Sequence, residues 1–330
     1  MHKGQVMAPG SVREYSDNCL MAVVCPDLPV VRPEVILGTV PLSARQAFIR
    51  EVSQPDEDIS LAAASLRYAA EEYPGLDIVL YLGRIALLSQ RVKASLLGPG
   101  RHGTYDAIHA INTVLFEEEG FRGDTEAYYD PRNSFLNEVI DRKLGIPITL
   151  SVLYMEVARK AGHRFRSIGM PSHFLLAAGQ GTSEIFVDPF NRGGLLSKKE
   201  CVAMALRGKE IPREGFAILG RRLLPVLDKK ATLRRMQNNL KQTYMQSRDY
   251  MRALRACERA GVLEPDDWPN LGDLARVLTE LGRFSEAVDS LTAFIERAPA
   301  GSDLKLAENA LRQLRELAAG STPHRPDNPS

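Results

Sequence analysis

The stretch "RKLGIPITLSVLYMEVARKAG", Arg142 to Gly162, decides how the chain is read. Its apolar residues crowd most positions after Gly145, so it predicts the opening of a buried helix. Gly145 and Pro147 fix the N-terminus. Proline suits the first helical position, because its missing N–H would be unpaired there anyway and its φ is already near the helical value.

Downstream, "FRSIGM", "SHFLLAAG" and "SEIFVDPF" are short, rich in β-branched and aromatic residues, and separated by Pro171 and by "GQGTS". They predict three strands of one antiparallel sheet. Upstream the pattern is helical. "SARQAFIREV" offers Ser43 as an N-cap, and "DISLAAASLRYAAEEY" puts Ile59, Ala62, Ala63, Leu66 and Ala70 on one face before Pro74 and Gly75 stop it. "LDIVLYLGRIALLSQRVKASLL" and "YDAIHAINTVLFEEEG" continue the run, interrupted by "GPGRHG" and ended by Gly120. A loop and a short helix from about Asn133 lead into the opening stretch.

Sliding the chain against itself reveals a repeat of period 34 in the tail: Leu240 matches Leu274, Tyr250 matches Phe284, Ala253 matches Ala287 and Pro265 matches Pro299. Small residues at Ala253 and Ala287 let the helices of a hairpin approach closely, and each proline ends a unit. This resembles the tetratricopeptide repeat, with "SDLKLAENALRQLRELAA" as a capping helix. The expected organisation is a flexible arm over 1–40, a helical region over 41–120, a core over 121–230, helical repeats over 231–318 and a disordered tail over 319–330.

Bulk properties narrow the function. At 330 residues, 44% hydrophobic and 25% charged, the chain exceeds one core and has the composition of a soluble globular protein. Lys plus Arg (42) nearly cancels Asp plus Glu (41), leaving no long-range field to gather nucleic acid or anionic lipid. Cys19, Cys25, Cys201 and Cys257 have neither a zinc spacing nor a disulfide framework, which fits a reducing cytoplasm. The apolar run Leu20 to Cys25 is too short for an export signal or a membrane span. His102, His109, His163 and His173 show no metal-ligand spacing, the acidic "FEEEGFRGDTEAYYD" lacks a calcium-loop pattern, and "GPGRHG" lacks the Lys-Ser of a phosphate loop. Neither metal nor cofactor is expected.

A helix start, then a His on a strand, then Asp-Pro on the next strand is an order similar to the transglutaminase-like superfamily, whose papain-related core uses a Cys, a His and an Asp. The matching positions are Pro147, His173 and Asp188, with Arg159 and Gly162 at the end of the helix. The segments "NSFLNEVIDRKLGIPITLSVLYMEVARKAG", "MPSHFLLA" and "VDPFNRGGLLS", with the repeats, resemble the bacterial SirB-type branch over roughly residues 40–315. The branch commonly has "GIP" at the nucleophile's position. Ser172, where the resemblance leads one to expect Gly, is a departure. The implied fold is α+β and mostly helical: a helical N-terminal region, a transglutaminase-like core with a small antiparallel sheet, and helical hairpins.

The resemblance also implies a damaged site. A catalytic Cys at a helix N-terminus gains thiolate character from the macrodipole and a neighbouring His. Proline cannot attack and has no amide N–H for an oxyanion, a donor worth roughly 3 kcal/mol. His173 and Asp188 read either as a base and its orienter or as a structural hydrogen bond between strands. Ser151 lies on the same helix face as Pro147, and with His173 and Asp188 it would compose a hydrolase triad; Thr149 is a second hydroxyl nearby. Asn133, Ser151, His173 and Arg192 would line a groove, although Gly193 and Gly194 after Arg192 also suit plain turn chemistry. The leading expectation is a cytoplasmic, non-catalytic module that binds a protein or peptide through the groove and the repeats. The alternative is a hydrolase or acyltransferase on amide or ester bonds with a non-standard nucleophile.

Overall fold

The structure, a computed structural model, describes residues 42–97, 103–207 and 216–320. The expected arm, Cys19, Cys25, residues 98–102 with His102, and the tail beyond Gly320 lie outside these residues. The chain divides into two compact units, Gly38–Asn239 and one containing Leu240–Ser330.

In the first unit the upstream helices are α1 (Leu42–Val52), α2 (Leu61–Ala69), α3 (Ile78–Ser95) and α4 (Thr104–Asn112). α1 runs from Leu42, so Ser43 falls within the helix and not before it. Ser60 caps α2 instead, accepting from the Ala63 N–H at 3.2 Å, and Asp77 caps α3 through the Leu80 N–H at 3.0 Å. α2 ends at Ala69, earlier than Pro74 requires, and its alanines let it bury nearly every side. α4 continues as a π-helical turn over Thr113–Glu118, a form that the apolar spacing does not distinguish from α.

After α5 (Leu136–Arg142) comes α6 (Pro147–Ala161), the helix of the opening stretch. Pro147 is its first residue and Gly162, at φ +99°, closes it. Every residue from Pro147 to Ala158 is buried, as expected of a helix apolar all round. It packs against α2, α3, α4, α5 and the sheet. Two short strands absent from the sequence reading, β1 (Arg122–Gly123) and β2 (Leu144–Gly145), pair in parallel just before α6.

The three expected strands form β3 (Arg166–Met170), β4 (His173–Ala178) and β5 (Ile185–Asp188), all antiparallel. β6 (Gly194–Leu196) and β7 (Val226–Leu227) extend the sheet to the order β6-β5-β4-β3-β7. One face carries Ile168, Met170, Leu175, Ala177 and Phe186, packed on Cys201 and Val202 of α7 (Lys198–Ala205) and on Leu224, which follows α8 (Phe216–Leu223). The other face meets α6, where the Ser167 hydroxyl lies 3.4 Å from the Met155 sulfur.

Helix α9 (Lys229–Gln246) gives its residues up to Asn239 to the first unit and the rest to the second. The second unit continues with α10 (Tyr250–Leu263), α11 (Trp268–Glu280), α12 (Phe284–Glu296) and α13 (Lys305–Gly320). The 34-residue period holds bond for bond. Asp249 N–H donates to the Tyr244 carbonyl (2.8 Å) and Arg283 N–H to that of Leu278 (2.9 Å); Ser247 N–H to Thr243 and Leu281 N–H to Val277 are both 3.1 Å. Arg248 and Gly282 both take the left-handed conformation between those donors, at φ +58° and +70°. Ala253 and Ala287 are completely buried, which is what close helix approach requires. A buried ion pair joins Lys241 Nζ to Asp273 at 2.6 Å, and Nζ also donates to Asn270 Oδ1 at 3.2 Å.

Candidate functional site

His173 opens β4 directly after a two-residue turn, and Asp188 closes β5. In that turn Ser172 sits at φ +59°, a conformation glycine adopts without cost. This accounts for the glycine expected there. The serine is held by Arg207, whose Nη2 donates to its hydroxyl at 2.6 Å.

The Asp188 carboxylate gathers four donors. Oδ2 lies 2.8 Å from His173 Nε2 and accepts from Asn191 Nδ2 at 2.8 Å; Oδ1 accepts from the backbone N–H of Phe190 (3.1 Å) and of Asn191 (3.3 Å). Burial works to raise the Asp188 carboxyl, but the hydrogen bond and charge of His173 and the Asn191 donors outweigh it and hold it below its ordinary value. A carboxylate only accepts, so Nε2 of His173 carries the proton it donates, and in the neutral imidazole Nδ1 is then the acceptor nitrogen. That is the arrangement of a base and its orienter.

The turn after Asp188 is braced from a distance. Gly193 N–H donates to the Asp188 carbonyl at 2.8 Å, and Asn112 Nδ2 donates to the Gly193 carbonyl at 3.0 Å. Gly193 has φ +71°, and a Cβ there would fall 2.0 Å from Asn112 Oδ1. Gly193→Ala is therefore expected to cost about 2–4 kcal/mol, from the left-handed backbone and the overlap together. Urea unfolding would check this; a loss under 1 kcal/mol would mean the turn is not braced as described.

An aromatic wall stands beside the pair. Phe190 meets the His173 ring edge-on at 6.1 Å and the Tyr128 ring at 6.1 Å. A Cβ on Gly123 would come within 2.6 Å of the Phe190 ring, so glycine in β1 is what admits that ring. Arg235 of α9 reaches under the hairpin, where its Nη2 donates to the carbonyls of Met170 (2.5 Å) and His173 (2.7 Å).

The nucleophile's position is different. Pro147 is buried at the first turn of α6 and offers neither a reactive atom nor an N–H. The Thr149 hydroxyl donates to the Asn133 carbonyl at 2.7 Å and accepts from the Ile146 N–H at 3.2 Å, so it serves as a cap. Ser151 is 0% exposed, and its hydroxyl has no partner among the described residues, His173 included. Cys201 is buried in α7; burial, then the charges of Glu200 and Asp188, push its thiol up to about 12. Burial likewise pushes Cys257 up to about 12. Neither supplies a thiolate near neutral pH.

Of the four residues expected to line a groove, His173 keeps partial exposure and Arg192 is exposed. Asn133 is 0% exposed. Its amide donates to Asp124 (3.0 Å) and the Ala127 carbonyl (2.8 Å) and accepts from Arg142 (3.2 Å), a network that ties the loop before α6. Sequence reasoning missed Arg235, Asn112, Tyr128 and Phe190. Only Phe190, adjacent to Asp-Pro, carried a local signal. Among the described residues no group of three or more His, Cys, Asp and Glu is placed to hold a metal ion, and no helix is long and apolar enough to cross a membrane.

Residues 80–238 match the transglutaminase-like superfamily and residues 240–312 match the tetratricopeptide repeat. These matches define the class, a transglutaminase-like core followed by helical repeats. A UPF0162 protein of Xylella fastidiosa (strain 9a5c) is 32% identical over 267 residues, covering 78% of this chain and 91% of its own. A UPF0162 protein of Vibrio cholerae serotype O1 is 32% identical over 206 residues, 61% of this chain and 74% of its own. F-box only protein 21 of Mus musculus is 35% identical over 141 residues, 40% of this chain and 21% of its own. No solved structure matches the chain. The chain belongs to the UPF0162 family, the bacterial SirB-type branch recognised from its motifs.

Proposed function

We propose that this chain is a non-catalytic interaction module built on an enzyme fold, acting in the cytoplasm without metal, cofactor, nucleic acid or membrane. The observation that carries the reading is Pro147 at the first turn of α6, with Thr149 committed to capping and Ser151 sealed from solvent. A base needs a nucleophile to activate, and none stands at that helix start. His173, held in place by Asp188, then acts as a polar anchor for a peptide segment, beside the Phe190 and Tyr128 rings. Tetratricopeptide repeats generally mediate protein–protein interaction, and here they take a helix or tail of the partner.

The second reading, a hydrolase or acyltransferase, is favoured by one observation: the His173–Asp188 pair retains base-and-orienter geometry at 2.8 Å. Activity-based labelling with broad serine- and cysteine-reactive probes separates the two. For the wild type compared with His173→Ala, the expected result is no labelling that depends on His173. Modification mapped to Ser151, Thr149 or a cysteine, and lost with His173, would replace the module by an enzyme.

A further inference from the structure

Helix α3 carries an outer apolar face that the first unit does not bury. Its buried side chains are Ile85, Leu88, Ser89 and Val92. On the outer side Leu80 is 57% exposed, Leu87 60% and Leu97 80%, and Gly83, Gln90 and Ala94 between them are exposed as well. The Leu97 N–H donates to the Ala94 carbonyl at 3.2 Å, so the winding carries on to Leu97 after the helix proper ends at Ser95. Positions 80, 83, 87, 90, 94 and 97 alternate steps of three and four, the spacing of a coiled-coil seam. A single exposed leucine needs no explanation, but a seam kept from one end of a helix to the other does.

The seam is matched to itself. Run antiparallel against a second copy, it sets Leu80 against the partner's Leu97, Gly83 against the partner's Ala94, and Leu87 against the partner's Gln90. Large meets large at the end and small meets small next to it, and a two-fold axis repeats the same three layers in the other half. Gly83 has no reason within its own chain: a Cβ there would meet no atom within 4 Å among the described residues, and glycine inside a helix is less stable than alanine. Opposite the partner's Ala94 it lets two helices approach closely. Leu87, Gln90, Arg91 and Ala94, at i, i+3, i+4 and i+7, are the four corners of one hole, and with Leu88 and Ile140 they line a groove of about 550 Å³. The partner's Leu87 is the knob that this register sends into it.

The charges along the rim suit the same occupant. Arg84 pairs with Asp141, Arg91 with Glu118 and Glu119, and Lys143 with Glu119, so three cations stand against three carboxylates and no net charge selects an acidic or a basic peptide. Antiparallel packing turns Arg84 of one copy toward the partner's Arg91, and those like charges are tolerated because each already has its own carboxylate. We infer that the outer face of α3 is a self-association surface, on which a second copy of this chain packs its own α3 antiparallel about a two-fold axis. From Leu80 to Leu97 the seam is about 26 Å long, enough contact for a reversible dimer and too little for an obligate one. The inference is independent of whether His173 anchors a peptide.

Sedimentation equilibrium of the full chain, from nanomolar to hundreds of micromolar, tests this. The expected result is a reversible monomer–dimer equilibrium. Leu87→Arg, which puts a cation at the centre of the seam beside the partner's Arg91, is expected to raise the dissociation constant by at least about tenfold. Its thermal midpoint at concentrations where the chain is monomeric should match that of wild type, because Leu87 is already largely in water there. Cysteine cross-linking reads the register. Leu80→Cys chains mixed with Leu97→Cys chains and oxidised with copper phenanthroline should give far more covalent dimer than either variant alone or wild type, since position 80 meets position 97 and not itself. If Leu87→Arg misfolds, the mixing experiment decides. A monomer at every concentration, a dimer that Leu87→Arg leaves intact, or equal cross-linking in the mixture and the single variants overturns the surface.

Discussion

Asp188→Ala is expected to destabilise the Gly38–Asn239 unit by about 3–5 kcal/mol, the range for removing one partner of a buried charged pair. The size follows from how many donors the carboxylate collects. His173 Nε2, Asn191 Nδ2 and two backbone N–H groups all lose their acceptor at once, and Asp188 itself is nearly inaccessible to replacement water. Asp188→Asn keeps the shape but sets an amide against donors, so it should lose much of the same stability. Urea unfolding followed by far-ultraviolet circular dichroism reads both variants.

The same residue fixes a pH dependence. The native carboxyl is held below the ordinary 3.8, while the unfolded chain titrates near that value. Between the two, the unfolded chain binds a proton that the native one does not, so stability falls as pH falls. The contribution is complete above the unfolded value and gone below the native one. Wild type should therefore lose stability more steeply than Asp188→Asn as pH drops through and below 3.8. Parallel curves, or a loss under 1 kcal/mol in the alanine variant, would mean that the His173–Asp188 bond contributes little to the fold.

The second large effect lies in the repeats. Lys241 is 2% exposed and its ammonium is matched by Asp273 at 2.6 Å. Lys241→Met should cost about 3–5 kcal/mol by stranding a buried carboxylate. Lys241→Met combined with Asp273→Leu should recover most of that loss, because replacing both charges by apolar groups of similar volume is often neutral or better. The readout is built in. Trp268 is the chain's single tryptophan and stacks on Phe294 at 4.7 Å, so its fluorescence reports this unit while circular dichroism follows both. Equal losses in the single and double variants would show that the ion pair does not govern the unit's stability.

What could be read from residues alone depended on whether a signal was local. Pro147 at a helix start, the three strands after Gly162, and the 34-residue period are local patterns, and the structure has each of them. β6 and β7 were not legible: strands of two or three residues exist because β5 and β3 offer them an edge, not because of their own pattern. Helix spacing placed Ser151 on the face of Pro147 correctly, but α6 is buried on every side, so sharing a face does not open a residue to a groove. Arg235 and Asn112 carried no signal. An arginine in "LRRMQNN" reads like any solvated helix charge, and the bond from Asn112 to Gly193 spans 81 positions.

The paired turns of the repeat are alike in hydrogen bonding and unlike in cost. At Gly282 the left-handed backbone is free, whereas at Arg248 a side chain occupies the same conformation, at roughly 1–2 kcal/mol. The two hairpins are thus copies in shape with unequal tension. The one between α9 and α10 carries a backbone strain that glycine removes from the one between α11 and α12.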